Sequence, residues 1–416
     1  MKNIALRSAL IILLAALSLL GCGCGFLESY LPDYGDEVRT ARTDTEPSPD
    51  TEALTDTEAL TDTDADSGEV SSADTDAVTE DVTSAPEDTA PALGEARDLY
   101  ELRDLLCTAK EQGHLRMAFR YTGTDEFTAQ DIARITCAMY VSYSYRGSEY
   151  VLEMTEYPGD RMADAHRTGE LSSLSDEEKK LLSRAEDIVA EIKRTHSTPY
   201  DIELAIFEYV TDNVTYFSPT SDIADKNNVP RHLSVLGALG DGRANCQGYA
   251  DAFYLLASIA GFEVSRMNVI DANGLGHIVN TVRLDGAWYV VDATYCDNDP
   301  TTNYRLFNAG RDMCNEYGWG AEMEYNRIAD ESDGNYYYYR KQNRCFSSLD
   351  AMAEHIKAEY KRGVTRFSLM LSGRAAATNE LGDILSAKLN ADGMAYNYSF
   401  HVSTTAKDTF YTVEFK

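Results

Sequence analysis

Gly276-His-Ile-Val-Asn-Thr-Val-Arg-Leu-Asp-Gly-Ala-Trp-Tyr-Val-Val-Asp-Ala-Thr294 is a pair of β-rich runs joined by Asp285-Gly286. Asp-Gly between such runs is a strong local signal for a two-residue hairpin turn, because both central positions of that turn need positive φ. Counting outward, Leu284 faces Ala287, Val279 faces Asp292 and His277 faces Thr294. Directly opposed residues share a face. One face therefore carries His277, Val279, Thr281 and Arg283 with Trp288, Val290, Asp292 and Thr294. The other carries Ile278, Asn280, Val282 and Leu284 with Tyr289 and Val291, and its apolar content makes it the expected core face. A one-residue slip would bury the wrong set, which fixes the register. His277 and Asp292 become diagonal neighbours, about 7–8 Å apart at the backbone and closer at their tips. An aspartate in that place holds one imidazole tautomer and leaves the other ring nitrogen for chemistry.

Upstream, Asp241-Gly-Arg-Ala-Asn-Cys-Gln-Gly-Tyr-Ala-Asp251 supplies a thiol. Tyr249, Phe253, Leu256 and Ala260 recur at helical spacing, Asn245 is a good N-cap and Gly261 a stop. Cys246 then falls in the first helical turn, where the helix dipole and unpaired N–H groups favour a thiolate. Taken singly, the cysteine reads as a small buried residue and the hairpin as an ordinary ribbon with one polar face. Together, a helix-start cysteine, a histidine and an aspartate are the parts of a thiol nucleophile, its base and the group that orients the base.

Gly242-Arg-Ala-Asn-Cys246-Gln-Gly-Tyr-Ala-Asp-Ala-Phe253, Gly276-His277-Ile-Val-Asn280 and Asp285-Gly-Ala-Trp-Tyr-Val-Val-Asp292-Ala-Thr294 resemble the transglutaminase-like superfamily over about residues 197 to 310. The resemblance implies a papain-like core, with the cysteine helix packed on an antiparallel sheet. It implies Cys246 as nucleophile, His277 as base and Asp292 as orienter. Val279 stands where the family usually has a tryptophan, and Tyr295 where another is common. With Gln247, Tyr249, Asn280 and Trp288, these two are the expected substrate-cleft residues. The backbone N–H of Cys246 is the expected first oxyanion donor, and the second is unassigned.

The chain has 416 residues and 44% hydrophobic composition, enough for two or three domains. Lys2 and Arg7 precede an apolar run from Ala9 to Leu20, and Leu19-Leu20-Gly21-Cys22 resembles a bacterial lipoprotein signal. Residues 1–21 are thus expected to be a signal peptide and Cys22 to carry lipid, placing the protein outside the cytoplasm on a membrane. The run is shorter than the ~18–20 residues of a spanning helix. From Thr43 to Ala92 there is no Lys, Arg or aromatic residue, and Asp50-Thr-Glu-Ala-Leu-Thr55 repeats as Asp56-Thr-Glu-Ala-Leu-Thr61. Such a tract buries too little to offset its chain entropy, so residues 22–92 read as a lipid anchor and acidic disordered linker. Fifty flexible residues reach about 40 Å, and more under self-repulsion. Sixteen acids of the linker supply half of the net charge of −32, which argues against a nucleic-acid partner.

Beyond Cys22, Cys24 and Cys246 there remain Cys107, Cys137, Cys296, Cys314 and Cys345, an odd number without framework spacing. Free buried thiols are expected, with Cys107–Cys137 the one pairing to entertain. No zinc pattern is present, Asp297-Asn298-Asp299 reads as a solvated turn, and no cofactor is expected. Two similar patterns flank the core. Residues 93–172 read as helix (Leu99 to Lys110), strand (Leu115 to Tyr121), helix (Ala129 to Met139) and two strands (Val141 to Tyr145, Tyr150 to Glu156). Residues 344–416 repeat the order with Leu349 to Tyr360, Arg366 to Leu371, Glu380 to Leu389, Ala395 to Val402 and Thr409 to Phe415. Between them, residues 173–343 hold two capped helices, opened by Ser175-Asp-Glu-Glu178 and by Thr198-Pro199, and then the thiol core. Tyr336 to Tyr339 reads as a strand with one buried face. The expected architecture is α+β, a transglutaminase-like core between two αβαββ modules. The expected function is an acyl-enzyme reaction on a protein or peptide substrate, cell-wall peptide included, with hydrolysis favoured over cross-linking. The rival is a catalytically silent protein that holds peptide or cell wall in the same cleft.

Overall fold

The computed structural model describes residues 39–42, 90–124, 126–127, 132, 135–136, 140–219, 230–270, 276–298, 301–319, 337–373, 378–404 and 408–416. The expected signal peptide, Cys22, Cys24 and nearly all of the acidic tract lie outside these residues, as do Cys137, Asp299 and Tyr336. A short strand, β1 (Arg39–Arg42), comes first. The N-terminal module follows as β2 (Ala92–Ala96), α1 (Leu99–Glu111), β3 (Arg116–Tyr121), β4 (Tyr140–Arg146) and β5 (Glu149–Thr155). Asp98 starts α1 by accepting the Glu101 N–H at 2.8 Å. The sheet order is β2-β3-β5-β4, with only the β2–β3 pair parallel. Leu102, Leu106, Met117, Phe119 and Leu152 form a core of this module's own. Ile132, Ile135 and Thr136 are helical, the described part of the second expected helix.

The central core begins with α2 (Pro158–Thr168), α3 (Asp176–Thr195) and α4 (Pro199–Asn213). The Ser175 capping box is formed, with Glu178 N donating to Ser175 Oγ at 3.2 Å and Ser175 N to Glu178 Oε2 at 2.8 Å. Thr198 caps α4 by accepting from Asp201 N, and Pro199 occupies its first turn. Then come β6 (Thr215–Tyr216), a 3₁₀ turn (Arg231–Leu233), a π-helical turn (Leu236–Asp241), β7 (Arg243–Ala244) and α5 (Cys246–Ala260). A three-stranded antiparallel sheet, order β10-β9-β8, is made by β8 (Val264–Ile270), β9 (Gly276–Leu284) and β10 (Ala287–Val291). The core closes with α6 (Ala293–Cys296), β11 (Asp297–Asn298), β12 (Thr301–Thr302), α7 (Arg311–Glu316) and α8 (Tyr337–Lys341).

The hairpin register is the one the sequence specifies, Leu284 with Ala287 through Asn280 with Val291. Asp285 and Gly286 have φ of 51° and 90°, the pair of positive angles the tight turn needs. Three expectations are corrected. Pairing stops at Val291, because Asp292 leaves the strand to cap α6, so Thr294 is helical and does not face His277. Both faces of β9 are buried from His277 to Val282, since one packs on α5 and the other is covered by the chain after β10. The expected strand at Tyr336 to Tyr339 is a helix from Tyr337, with Tyr338 and Tyr339 buried. A fourth difference concerns a boundary. Met162, Ala163 and Ala165 of α2 share the core of α5 and the hairpin, so the central unit begins near Tyr157 rather than at residue 173.

The C-terminal module is β13 (Cys345–Phe346), α9 (Leu349–Lys361), β14 (Arg366–Leu371), α10 (Thr378–Ala391), β15 (Asn397–Thr404) and β16 (Thr409–Phe415). Its sheet runs β1-β15-β16-β14-β13, again with a parallel first pair, β13 and β14. Apart from β1, this is the strand order of the N-terminal module, and each copy has a leading strand that the sequence pattern did not reveal. Leu349, Met352, Ile356, Leu369, Leu385 and Tyr411 make its own core. Met370 and Phe410 instead join the central core. Among the described residues no helix is long and apolar enough to cross a membrane.

Candidate functional site

Asn245 turns the chain into α5, its Oδ1 accepting the N–H of Gln247 at 3.0 Å and of Gly248 at 3.4 Å. The cap takes the second and third N–H groups of the turn and not that of Cys246. A Cβ on Gly248 would lie 2.8 Å from His232 O and 2.9 Å from Ser234 O. Only glycine lets the first turn of α5 seat against the chain before it, and Cys246 is left 3% exposed. Neither face of α5 meets solvent along most of its length, so the amphipathic stripe in the sequence understates its burial.

His277 sits near the start of β9. Its Nε2 lies 2.7 Å from Asp292 Oδ2, and both side chains are buried. Asp292 also accepts the Tyr295 N–H at Oδ1, 3.0 Å, and donates its own N–H to Leu306 O at 3.0 Å. Two contacts fix the carboxylate and a third fixes its backbone, and the carboxylate in turn fixes the imidazole. Nε2 is thus the ring nitrogen turned to Asp292.

Two bridges bring α5 to this end of the hairpin. Asn280 Nδ2 donates to Ala250 O at 3.0 Å, and the Tyr249 hydroxyl reaches both Val214 O at 2.7 Å and the Asp297 carboxylate just past α6. They pack the first turn of α5 against the residues that carry His277 and Asp292. Cys246, His277 and Asp292 thus come from three elements that one core holds together.

The expected cleft residues divide. Gln247 is half-buried and donates to the Tyr157 hydroxyl at 3.2 Å. Trp288 is half-buried on β10. Tyr295 lies flat on the His277 ring, centroids 4.3 Å apart and planes 15° apart. Tyr249, Val279 and Asn280 line no open cleft. Tyr249 and Asn280 serve as the bridges above, and Val279 is 1% exposed in the core.

Sequence reasoning missed two groups. Trp319 is fully buried, 6.0 Å from the His277 ring and 6.1 Å from Tyr295, with Tyr317 at 5.1 Å, so an aromatic cover lies over the imidazole. The second is Arg266, on β8, which donates to Asp160 Oδ1 at 2.8 Å and pairs with Asp251 of α5. Its guanidinium lies 4.4 Å from the Tyr157 ring centroid and 3.9 Å from that of Tyr254. Asp251 is buried yet satisfied, also accepting from Gly159 N at 3.2 Å and Val235 N at 2.8 Å. A lone arginine in an apolar strand and a lone aspartate in an apolar helix were the available signal. Burial by itself would raise the Asp160 carboxyl, but Arg266 holds it below its ordinary range.

Cys296, Cys314 and Cys345 are free thiols. Cys107 donates to Ile135 O at 3.3 Å. Burial, reinforced by nearby Asp292, raises the Cys314 thiol to about 12 and that of Cys296 further still, which makes both unreactive. Among the described residues no cluster of His, Cys, Asp and Glu could hold a metal ion.

Residues 186–293 match the family described as the transglutaminase-like superfamily. No curated protein matches the chain. Among solved structures, one described as a TGase is 14% identical with a TM-score of 0.25, over 48% of this chain and 58% of that one. The periplasmic domain of TgpA from Pseudomonas aeruginosa is 13% identical, TM-score 0.24, over 38% of this chain and 56% of that one. LapG of Legionella pneumophila is 14% identical, TM-score 0.21, over 32% of this chain and 72% of that one. This chain therefore spans less than two thirds of the first two. The assignment rests on the matched segment, which contains Cys246, His277 and Asp292. Residues 186–293 of this chain are thus similar to the transglutaminase-like superfamily.

Proposed function

We propose that the protein is a thiol acyl-transfer enzyme acting on peptide or side-chain amides, with Cys246 as nucleophile, His277 as base and Asp292 as orienter. Cys246 Sγ gives its proton to His277 Nδ1 and bonds to the carbonyl carbon, while the carbonyl π pair moves onto oxygen. The backbone N–H of Cys246 stabilises that oxyanion. Protonated His277 then returns the proton to the leaving nitrogen as the C–N bond breaks, leaving a thioester. Water, deprotonated by His277, attacks the thioester and releases the acid and the thiol. An amine in place of water would give a cross-link. Hydrolysis is the favoured outcome, because water needs no acceptor pocket. The reading extends to export, with lipid on Cys22 holding the enzyme at the outer side of a membrane, as the Leu19-Leu20-Gly21-Cys22 stretch suggests.

One observation carries the proposal: the 2.7 Å Nε2–Oδ2 bond between two buried side chains, beside a helix that begins at a cysteine. In a low-dielectric surrounding, that carboxylate favours the imidazolium the mechanism requires. The test is the rate of Cys246 alkylation by iodoacetamide against pH, on the chain lacking residues 1–22, with Cys246→Ser as the background. Fast labelling well below the ordinary thiol pKa of about 8.5, lost or shifted in His277→Ala, is the expected result. A thiol that titrates near its ordinary value and ignores His277 would overturn the proposal and leave a silent peptide-binding cleft.

A further inference from the structure

Glu203 of α4 and Asn308, on the stretch after β12, are both fully buried. Asn308 Nδ2 donates to Glu203 Oε2 at 3.0 Å. Glu203 Oε1 and Asn308 Oδ1, the remaining oxygen of each group, have no hydrogen-bond partner among the described residues. Two buried acceptors left this way are a burden that native structures rarely carry. They belong to one carboxyl and one primary amide already joined along one edge. A single proton on Oε1 would donate to Oδ1, closing a two-bond acid–amide ring and satisfying both acceptors.

We infer that Glu203 is a neutral carboxylic acid at neutral pH, doubly hydrogen-bonded to Asn308, and that this pair positions the stretch which holds Asp292. Asn308 adopts a left-handed backbone, φ 55°, which costs a non-glycine residue energy unless its surroundings impose it. The residues on either side of it serve the site. Leu306 O accepts the Asp292 N–H, and Ala309 exchanges both backbone bonds with Val290 at 2.7 and 2.9 Å. The acid–amide ring therefore ties α4 to the chain that supports the orienting carboxylate. Of the titratable groups facing Glu203, Asp285 in the hairpin turn opposes its ionisation, and Tyr200 and Tyr337 stay neutral, their own hydroxyls raised by burial. Burial above all, partly offset by the Asn308 bond, pushes the Glu203 carboxyl up to about 8. Its folded value lies above its unfolded one, so its contribution to stability is full below the unfolded value and lost as pH rises through about 8.

Glu203→Gln tests this, because the amide can make the same two bonds to Asn308 without titrating. The unfolding constant is measured by urea titration from pH 4.5 to pH 9 in both proteins. The ratio of wild type to variant should rise about tenfold per pH unit between the unfolded value and about 8, then level off. Glu203→Met, which keeps the volume and removes the acid, should give the same slope if the glutamine variant does not fold. A flat ratio in both would overturn the inference and make Glu203 an ionised carboxylate bridged to Asn308 by a trapped water. The link to reactivity rests on the proposed Cys246–His277–Asp292 site. There, Cys246 alkylation should fall above pH 8 in wild type and hold in Glu203→Gln. The stability slope does not depend on catalysis, so a failure of the proposed function leaves it readable.

Discussion

At the residue scale, the proposed chemistry rests on buried polar groups that are each held by several partners. Asp292 stays useful because His277, Tyr295 N–H and a fixed backbone surround it. Arg266 is the parallel case behind the Cys246 helix, where one guanidinium serves two buried carboxylates, Asp160 and Asp251. Replacing it with methionine strands both, and a broken buried pair costs about 3–5 kcal/mol. Arg266→Met should lower stability by that amount at neutral pH. The sign reverses on acidification. The wild type loses the Asp160 contribution as pH falls, because its folded pKa is depressed. Burial already raises the Asp251 carboxyl in the wild type, so the reversal belongs to Asp160, which in the variant has a raised folded value and gains stability as it protonates. Urea unfolding at pH 4 and pH 7 checks this, and a variant that loses stability on acidification as the wild type does would contradict it. The sequence showed these charges only as interruptions of apolar runs, since their partners lie on other elements.

At the element scale, α5 and the β9–β10 hairpin were the most legible parts of the chain. Helix start, helix stop, turn and register all follow from local chemistry: Asn245, Gly261 and Asp285-Gly286 each satisfy a backbone demand within a few residues. Asn245→Ala removes the acceptor for two N–H groups and should cost about 1 kcal/mol. It should also slow Cys246 alkylation at pH 7 relative to wild type, since the thiol sits in the turn that the cap organises. Unchanged labelling with reduced stability would show that the cap serves the fold and not the thiol. What local chemistry did not reveal was burial on the second face of β9. That depends on Tyr295, Tyr317 and Trp319, which return over His277 from beyond the hairpin. The end of pairing at Val291 was equally hidden, because helix capping by Asp292 competes there with continued strand.

At the scale of the whole molecule, the two flanking modules share a strand order but not a relation to the core. The N-terminal module has a separate core, whereas Met370 and Phe410 of the C-terminal module pack into the central one, Phe410 5.3 Å from the Tyr339 ring. Removing residues 344–416 uncovers apolar side chains that each contribute about 1.5–3 kcal/mol by burial. Excising residues 90–155 should leave a chain with a higher Tm than one lacking 344–416. The opposite order in thermal unfolding would show that the C-terminal module is the dispensable one. By itself the sequence determined the α+β class, the helix that starts at Cys246, the hairpin and its register, because caps, turn residues and hydrophobic period act over a few neighbouring positions. Only the tertiary structure decided that α2 belongs to the core, that Tyr249, Val279 and Asn280 are packing and bridging groups, and that Glu203 faces Asn308. Those outcomes depend on partners that lie from 30 to 105 residues away, as with Asn280 and Ala250 or Glu203 and Asn308, and a buried polar group is intelligible only once its partner is known.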